Sequence, residues 1–314
     1  MPNESDLVSI KLSSRTFPRP ALSGFLALAL CLANGTGGIG KTSDEAFYER
    51  AQWYKKAGHF DKAGEILSQL YRKQPQNASL LVELGEAYFK DTNDMAGGLI
   101  KAEQCFRKAI IIDPEFGKAY CMMAEWANAQ SRYDLAIQMA GKALSAKKPD
   151  TQAYVERAAS YSRLHNDKEA LLDLDRYIAL YKLKRNAYER RASILENLHL
   201  YERALADYRT MQKIHYSDRT ALKEAFCLDK LNKRAEAITC LNNLLKRNPE
   251  DDAGYEARGK VQAKLGRLKE AIADFTRAIQ LIPSPNVYKE RAAAYEKMGR
   301  KDLADRDLKE AERI

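Results

Sequence analysis

Residues 252–283 read DAGYEARGKVQAKLGRLKEAIADFTRAIQLIP, and their spacing decides the fold. Small residues stand at Gly259 and Ala271, an aromatic at Phe275, a helix-breaking Gly266 between them, and Pro283 at the end. Apolar residues on either side of Gly266 recur at helical rather than alternating spacing, so the stretch predicts two helices joined by a tight turn. Two small residues twelve positions apart, one per helix, let antiparallel helices approach closely while Phe275 fills the seam.

The same unit recurs along the chain. The second small residue returns at Ala63, Ala102, Ala136, Ala170, Ala204, Ala237, Ala271 and Ala304, at intervals of 33 or 34 except for 39 after Ala63. The first returns in step at Ala51, Gly85, Ala124, Ala158, Ala192, Ala225, Gly259 and Ala292. Four residues after the second small residue comes Leu67, Phe106, Leu174, Tyr208, Leu241, Phe275 or Leu308, with Ala140 as the exception. Pro75, Pro114, Pro249 and Pro283 stop second helices. The longer interval places a five-residue insertion around Thr92–Gly98, in the turn of the second unit. Eight units in phase predict an all-α solenoid of antiparallel helix pairs, with boundaries near 44–77, 78–116, 117–150, 151–184, 185–217, 218–251, 252–284 and 285–314.

Period and positions resemble the tetratricopeptide repeat: an aromatic at position 4 (Tyr255), small residues at 8 and 20, an aromatic at 24 and Pro at 32. The resemblance implies a right-handed superhelix whose first helices line a concave groove with positions 2, 5, 9 and 12. It implies a non-catalytic scaffold binding a protein or peptide there. The groove candidates are Tyr48, Gln52, Lys55, Val82, Glu86, Phe89, Lys118, Cys121, Glu125, Val155, Glu189, Arg219, Leu222, Phe226, Glu256, Lys260 and Lys289. Val82, Phe89, Leu222 and Phe226 are either contact points or packing against neighbouring repeats. Members of the family that grip a C-terminal carboxylate use Lys at position 5 and Asn at 9. No repeat here has that Asn, so binding of chaperone tails is not expected.

Position 7 departs from the family pattern. It is Arg157, Arg191, Arg258 and Arg291 in four repeats whose position 23 is Asp173, Asp207, Asp274 and Asp307. Antiparallel helices bring these positions together, which predicts an Arg–Asp pair inside each hairpin. Arg50 lacks the aspartate.

Composition agrees with a folded helical chain: 30% charged, 45% hydrophobic, and only 9 Pro and 16 Gly in 314 residues. The net charge of +9 is spread with both signs along the helices, a solvated surface rather than a nucleic-acid stripe. Five cysteines without a CxxC pair and four scattered histidines predict no metal or cofactor site. Cys105 with Cys121, or Cys227 with Cys240, are possible disulfides in an exported protein, or small buried packers.

The first residues differ from the rest. Arg15 and Arg19 precede an apolar run, ALSGFLALALCLA (21–33), then a Gly-rich linker over 34–43. That order resembles a secretory signal peptide, with cleavage expected after Ala33 or, second, Ala29. It predicts export to the periplasm, envelope or exterior. Alternatives are lipid attachment at Cys31 or a retained membrane anchor. Gly35–Thr42 also matches GxxxxGK[ST], in which backbone amides cradle phosphates, Lys41 reaches them and Thr42 holds magnesium. Such a loop must open a helix inside a parallel sheet, and the repeats begin directly after it. Nucleotide binding is therefore only the alternative to the scaffold, and no enzyme is expected.

Overall fold

The computed structural model describes residues 42–314. Among them are 16 helices and no strand, with one isolated parallel bridge between Phe116 and Lys148. The leader, both cleavage positions, Cys31 and the phosphate-loop-like string as far as Lys41 lie outside the described residues. Thr42 caps the first helix: its side chain accepts from the Glu45 amide, and the Glu45 carboxylate accepts from the Thr42 N–H.

The helices form two compact units divided between Asp113 and Pro114. In the first, α1 (Ser43–Lys56) pairs with α2 (Phe60–Lys73), and α3 (Ala78–Lys90) with α4 (Met95–Ile112). In the second the pairs are α5 (Gly117–Ala129) with α6 (Tyr133–Ser145), α7 (Ala153–Arg163) with α8 (Asp167–Leu180), and α9 (Arg185–Asn197) with α10 (Tyr201–Ile214). They continue with α11 (Asp218–Lys230) and α12 (Arg234–Arg247), α13 (Asp252–Lys264) and α14 (Leu268–Leu281), and α15 (Pro285–Lys297) and α16 (Lys301–Arg313).

Seven of the eight hairpin turns are one device. The residue after the C-cap of the first helix takes a left-handed φ between 55° and 81°, at Gly58, Ser131, His165, His199, Asn232, Gly266 and Gly299. The next amide then returns to a carbonyl five residues back, as in Arg132 to Ala127 and Arg267 to Gln262, at 2.8–3.0 Å. This is the 6→1 bond of a Schellman turn. Two of the scattered histidines, His165 and His199, are accounted for by this backbone position.

The second repeat lacks the device; its insertion lies at 92–98 as the sequence suggested, but most of it is helix rather than turn. Its turn, Asp91–Asp94, is only one residue longer than the others, and the remaining extra residues lengthen α4 to 18 residues. Asp94 caps that longer helix, accepting from the Gly97 amide at 3.1 Å. Extra residues cost less as added helical turn, which satisfies their own backbone bonds, than as an irregular loop.

Within each hairpin, positions 8 and 24 share a fixed space. Where position 24 is Phe106 or Phe275, position 8 is Gly85 or Gly259; in the other six repeats it is Ala. A Cβ on Gly85 would lie 2.6 Å from the Phe106 ring, and one on Gly259 2.7 Å from Phe275. Both rings are wholly buried. Val155, Leu174, Leu195, Met211, Leu228, Leu241 and Val261 belong to one continuous core running through four repeats of the second unit.

Gly259→Ala is expected to destabilise the protein by about 1–3 kcal/mol through overpacking. Adding Phe275→Leu, which copies the Ala–Leu combination of Ala158 and Leu174, should recover most of the loss in urea unfolding.

Candidate protein-binding face

The position-7 arginines organise the second unit. Arg157, Arg191, Arg258 and Arg291 each donate twice to one aspartate: Nε to Oδ2 and Nη2 to Oδ1 of Asp173, Asp207, Asp274 and Asp307, at 2.6–2.9 Å. The aspartate side chains are 2–8% exposed and the arginines 15–21%. Planar forks of this kind match a carboxylate bidentately. Donating to the aspartates pushes the guanidinium pKa values up despite burial. Each arginine also lies over the position-4 tyrosine of its own helix, Tyr154, Tyr188, Tyr255 or Tyr288, at 5.5–5.9 Å.

Sequence reasoning missed a second contact of these arginines. Nη1 of Arg191 donates to Asp175 at 2.6 Å, that of Arg258 to Asn242 at 2.7 Å, and that of Arg291 to Thr276 at 2.9 Å. All three partners stand at position 25 of the preceding repeat. One guanidinium thus closes its own hairpin and fastens it to the hairpin before. The signal was present, because position 25 is polar ahead of three of the arginines. Ahead of Arg157 it is Gly141, and that arginine has only the intra-repeat pair.

Repeat six reverses the polarity. Position 7 is Glu224, the preceding position 25 is Arg209, and they pair at 3.1 Å; Arg209 also reaches Glu236 at 3.1 Å. Position 23 is Cys240, so the intra-repeat lock is missing. A surface cavity of 970 Å³ opens beside this pair, lined in part by Arg209, Glu224, Glu236 and Cys240.

In the first unit the groove candidates are knitted together. Tyr48 Oη donates to Glu83 at 3.0 Å, and Gln52 donates to the same carboxylate. Lys55 donates to Glu83 at 2.8 Å and to Glu86 at 2.7 Å, while Lys90 donates to Glu86 at 2.7 Å. Burial alone would lower the Lys55 pKa, but the Glu83 and Glu86 hydrogen bonds raise it. Burial would likewise raise Glu86, yet the Lys55 and Lys90 bonds hold it below its ordinary 4.5. Burial and the Glu83 bond push Tyr48 up. Phe89 is half-buried.

Three candidates are corrected outright. Val82, Cys121 and Val155 are 3%, 2% and 0% exposed, so they pack the interior and present nothing to a partner. Position 5 here is occupied by small or β-branched apolar side chains, which close packing takes up; in the second unit α5 and α7 touch directly. Leu222 is half-buried and packed on the core. Lys118 approaches Asp150 at 3.6 Å, Glu125 is half-buried, and Glu256 accepts from Lys260 at 2.6 Å. Glu189, Arg219 and Lys289 are exposed, and Phe226 is 42% exposed. The exposed candidates of this face in the second unit therefore lie in repeats five, six and eight.

Cys105, Cys121, Cys227 and Cys240 are free thiols. Burial pushes Cys105 up to about 11 and Cys227 and Cys240 up to about 12, far from a reactive thiolate. Among the described residues, no His, Cys, Asp and Glu cluster could hold a metal ion, and no helix is long and apolar enough to cross a membrane.

Known proteins show the same architecture. A family model described as tetratricopeptide repeat matches residues 48–115 and 228–285. The Hsp70-Hsp90 organizing protein of Triticum aestivum is 24% identical over 245 residues, 78% of this chain and 35% of its own length. Tetratricopeptide repeat protein 13 of Homo sapiens is 38% identical over 64 residues, 20% of this chain and 7% of its own. The chain thus spans about a third or less of these relatives. Among solved structures, PilF of Pseudomonas aeruginosa superposes with TM-score 0.56 at 15% identity, covering 70% of this chain and 97% of that one. A chain of the APC/C hetero-tetramer Cut9–Hcn1 superposes with TM-score 0.52 at 16% identity, covering 91% of this chain and 51% of that one. The fold is a solenoid of consecutive helix pairs. The chain carries tetratricopeptide repeats, the units of generally non-catalytic interaction scaffolds.

Asp274→Ala should cost about 3 kcal/mol, since it strands a largely buried Arg258. Arg258→Met combined with Asp274→Leu should cost less than Asp274→Ala alone; equal losses in denaturant melts would mean that the unpaired charge is not the cause. The Glu86 network has its own pH signature. A carboxyl held below 4.5 in the fold stabilises it above pH 4.5 and loses that contribution as pH falls through its folded value. Melting temperature against pH should therefore decline less steeply on the acid side for Glu86→Gln than for the wild type.

Proposed function

We propose that the protein is an adaptor that holds a partner protein segment along the inner face of repeats five to eight. One observation carries this reading: Glu189 and Lys289 are exposed at position 5, where Cys121 and Val155 of repeats three and four are sealed into the core, and Arg219 and Phe226 are exposed at positions 2 and 9 of repeat six. Exposed aromatic and charged groups on a rigid helical scaffold are the usual material of a binding surface. The family's general role as a protein-interaction scaffold supports the same conclusion.

The plant relative's name refers to Hsp70 and Hsp90. We do not extend that to this chain. Position 9 reads Gln52, Glu86, Glu125, Ala159, Ser193, Phe226, Lys260 and Ala293, with no asparagine for gripping a terminal carboxylate. We also propose export, supported by the order of basic residues, the apolar run 21–33 and the small residues after it.

The test is photo-crosslinking in the native cell. A photoreactive residue replacing Glu189, Arg219 or Lys289 should form discrete protein adducts, and one replacing the exposed Arg277 or Lys309 on second helices should not. Mass spectra of the same material should show a chain starting at Asn34. Adducts confined to the second helices would overturn the inner-face reading, and an intact Met1 the export reading.

A further inference from the structure

Helix α11 presents an exposed aromatic ring among basic side chains. Phe226 lies at position 9, with Lys230 Nζ 5.3 Å and Lys223 Nζ 5.9 Å from its ring centroid. The Tyr201 ring of the preceding repeat meets it edge-on at 6.1 Å. Arg219, seven residues before Phe226, and Lys230, four after, fall on the same stripe of the helix. Both are exposed, and among the described residues neither pairs with a carboxylate. Lys223 donates to Glu196 at 2.7 Å.

The carboxylates nearby are mostly occupied. On α9 and α11, Glu196 is bound to Lys223, Glu224 to Arg209, and Asp229 to Arg234 and Lys264. Glu189 on α9 is the exposed carboxylate without a cation. The unpaired charge along α11 is therefore positive at both ends of an aromatic platform. A phenyl face flanked by two ammonium groups accepts a further apolar or aromatic side chain. The free cations on each side favour carboxylates at the neighbouring positions of whatever lies across it.

We infer that the inner face at repeat six takes a protein segment whose apolar side chain sits on Phe226 between acidic residues that meet Arg219 on one side and Lys230 on the other. The inference rests on the inner face being the partner surface. It assigns that surface a chemistry: a short acidic segment with a central large apolar residue. Glu189 opposes such a segment, and removing its charge should strengthen the contact.

Fluorescence polarisation with the full chain tests this, using a labelled hexapeptide with leucine–phenylalanine between two acidic pairs. The same peptide with lysines for the acids, and with serines for the two apolar residues, should each bind at least about tenfold more weakly. Phe226→Ser and the double change Arg219→Glu, Lys230→Glu should weaken the acidic probe about as much, while Glu189→Lys tightens it. All these positions are exposed, and unchanged helical melting confirms that the variants fold. Charge reversal at Arg219 and Lys230 should also shift preference to the lysine-flanked probe, which loss of structure would not do. Equal binding of acidic and basic probes, indifference to Phe226→Ser, or no binding of the acidic probe would each overturn the inference. If crosslinks at Glu189, Arg219 and Lys289 still form in that case, the inner-face reading stands without it; if they are missing too, both fall.

Discussion

A guanidinium with three contact directions holds the second unit in register. In repeats five, seven and eight, Nε and Nη2 grip the buried aspartate of the same hairpin, Nη1 reaches the second helix of the previous one, and the plane lies over a tyrosine of its own helix. Apolar packing between helices is tolerant of sliding, because many small dispersion contacts can be exchanged for similar ones. A bidentate fork is not tolerant: a displacement of one residue leaves a charge buried without its partner. The net stability contributed by each fork is modest, since desolvation offsets attraction, and its larger effect is to select one register of helix on helix.

The same geometry explains the irregular members. Reversing the charge at Glu224 and Arg209 keeps the junction between repeats five and six attractive but leaves the hairpin of repeat six without its internal lock. The surface cavity beside Cys240 is lined by both members of the reversed pair. The volume rule behaves similarly. Glycine appears at position 8 only opposite phenylalanine, because the two residues share one close-packed slot and their summed size is what the backbone separation fixes.

Much of this architecture was legible in the sequence. Small residues at a period near 34 are repeated eight times, large fillers seven times and terminal prolines four times, so noise in any one copy averages out. The Arg–Asp pairs could also be read, since both partners lie in one hairpin at constant separation. The partner at position 25 lies in the preceding repeat, and its identity varies among Asp175, Asn242 and Thr276. Nothing but proximity unites those side chains. The insertion's place could be read but not its conformation, because length alone does not say whether extra residues extend a loop or a helix. Asp94 decided for the helix by capping it.

The binding face was the least legible part. Periodicity assigns Val82, Cys121, Val155 and Leu222 to position 5 and Phe226 to position 9 of the same face, yet Val82, Cys121 and Val155 are closed off while Phe226 carries an open ring. Sequence by itself determined the helix pairs, their number and the Arg–Asp residues that lock four of the hairpins, because those depend on spacing within about 34 residues and on side-chain size and charge. Only the tertiary structure decided which inner-face side chains meet solvent and which salt bridges are already satisfied. Exposure and charge pairing depend on how closely neighbouring repeats approach, and that distance is set by the combined packing of several helices rather than by any one position.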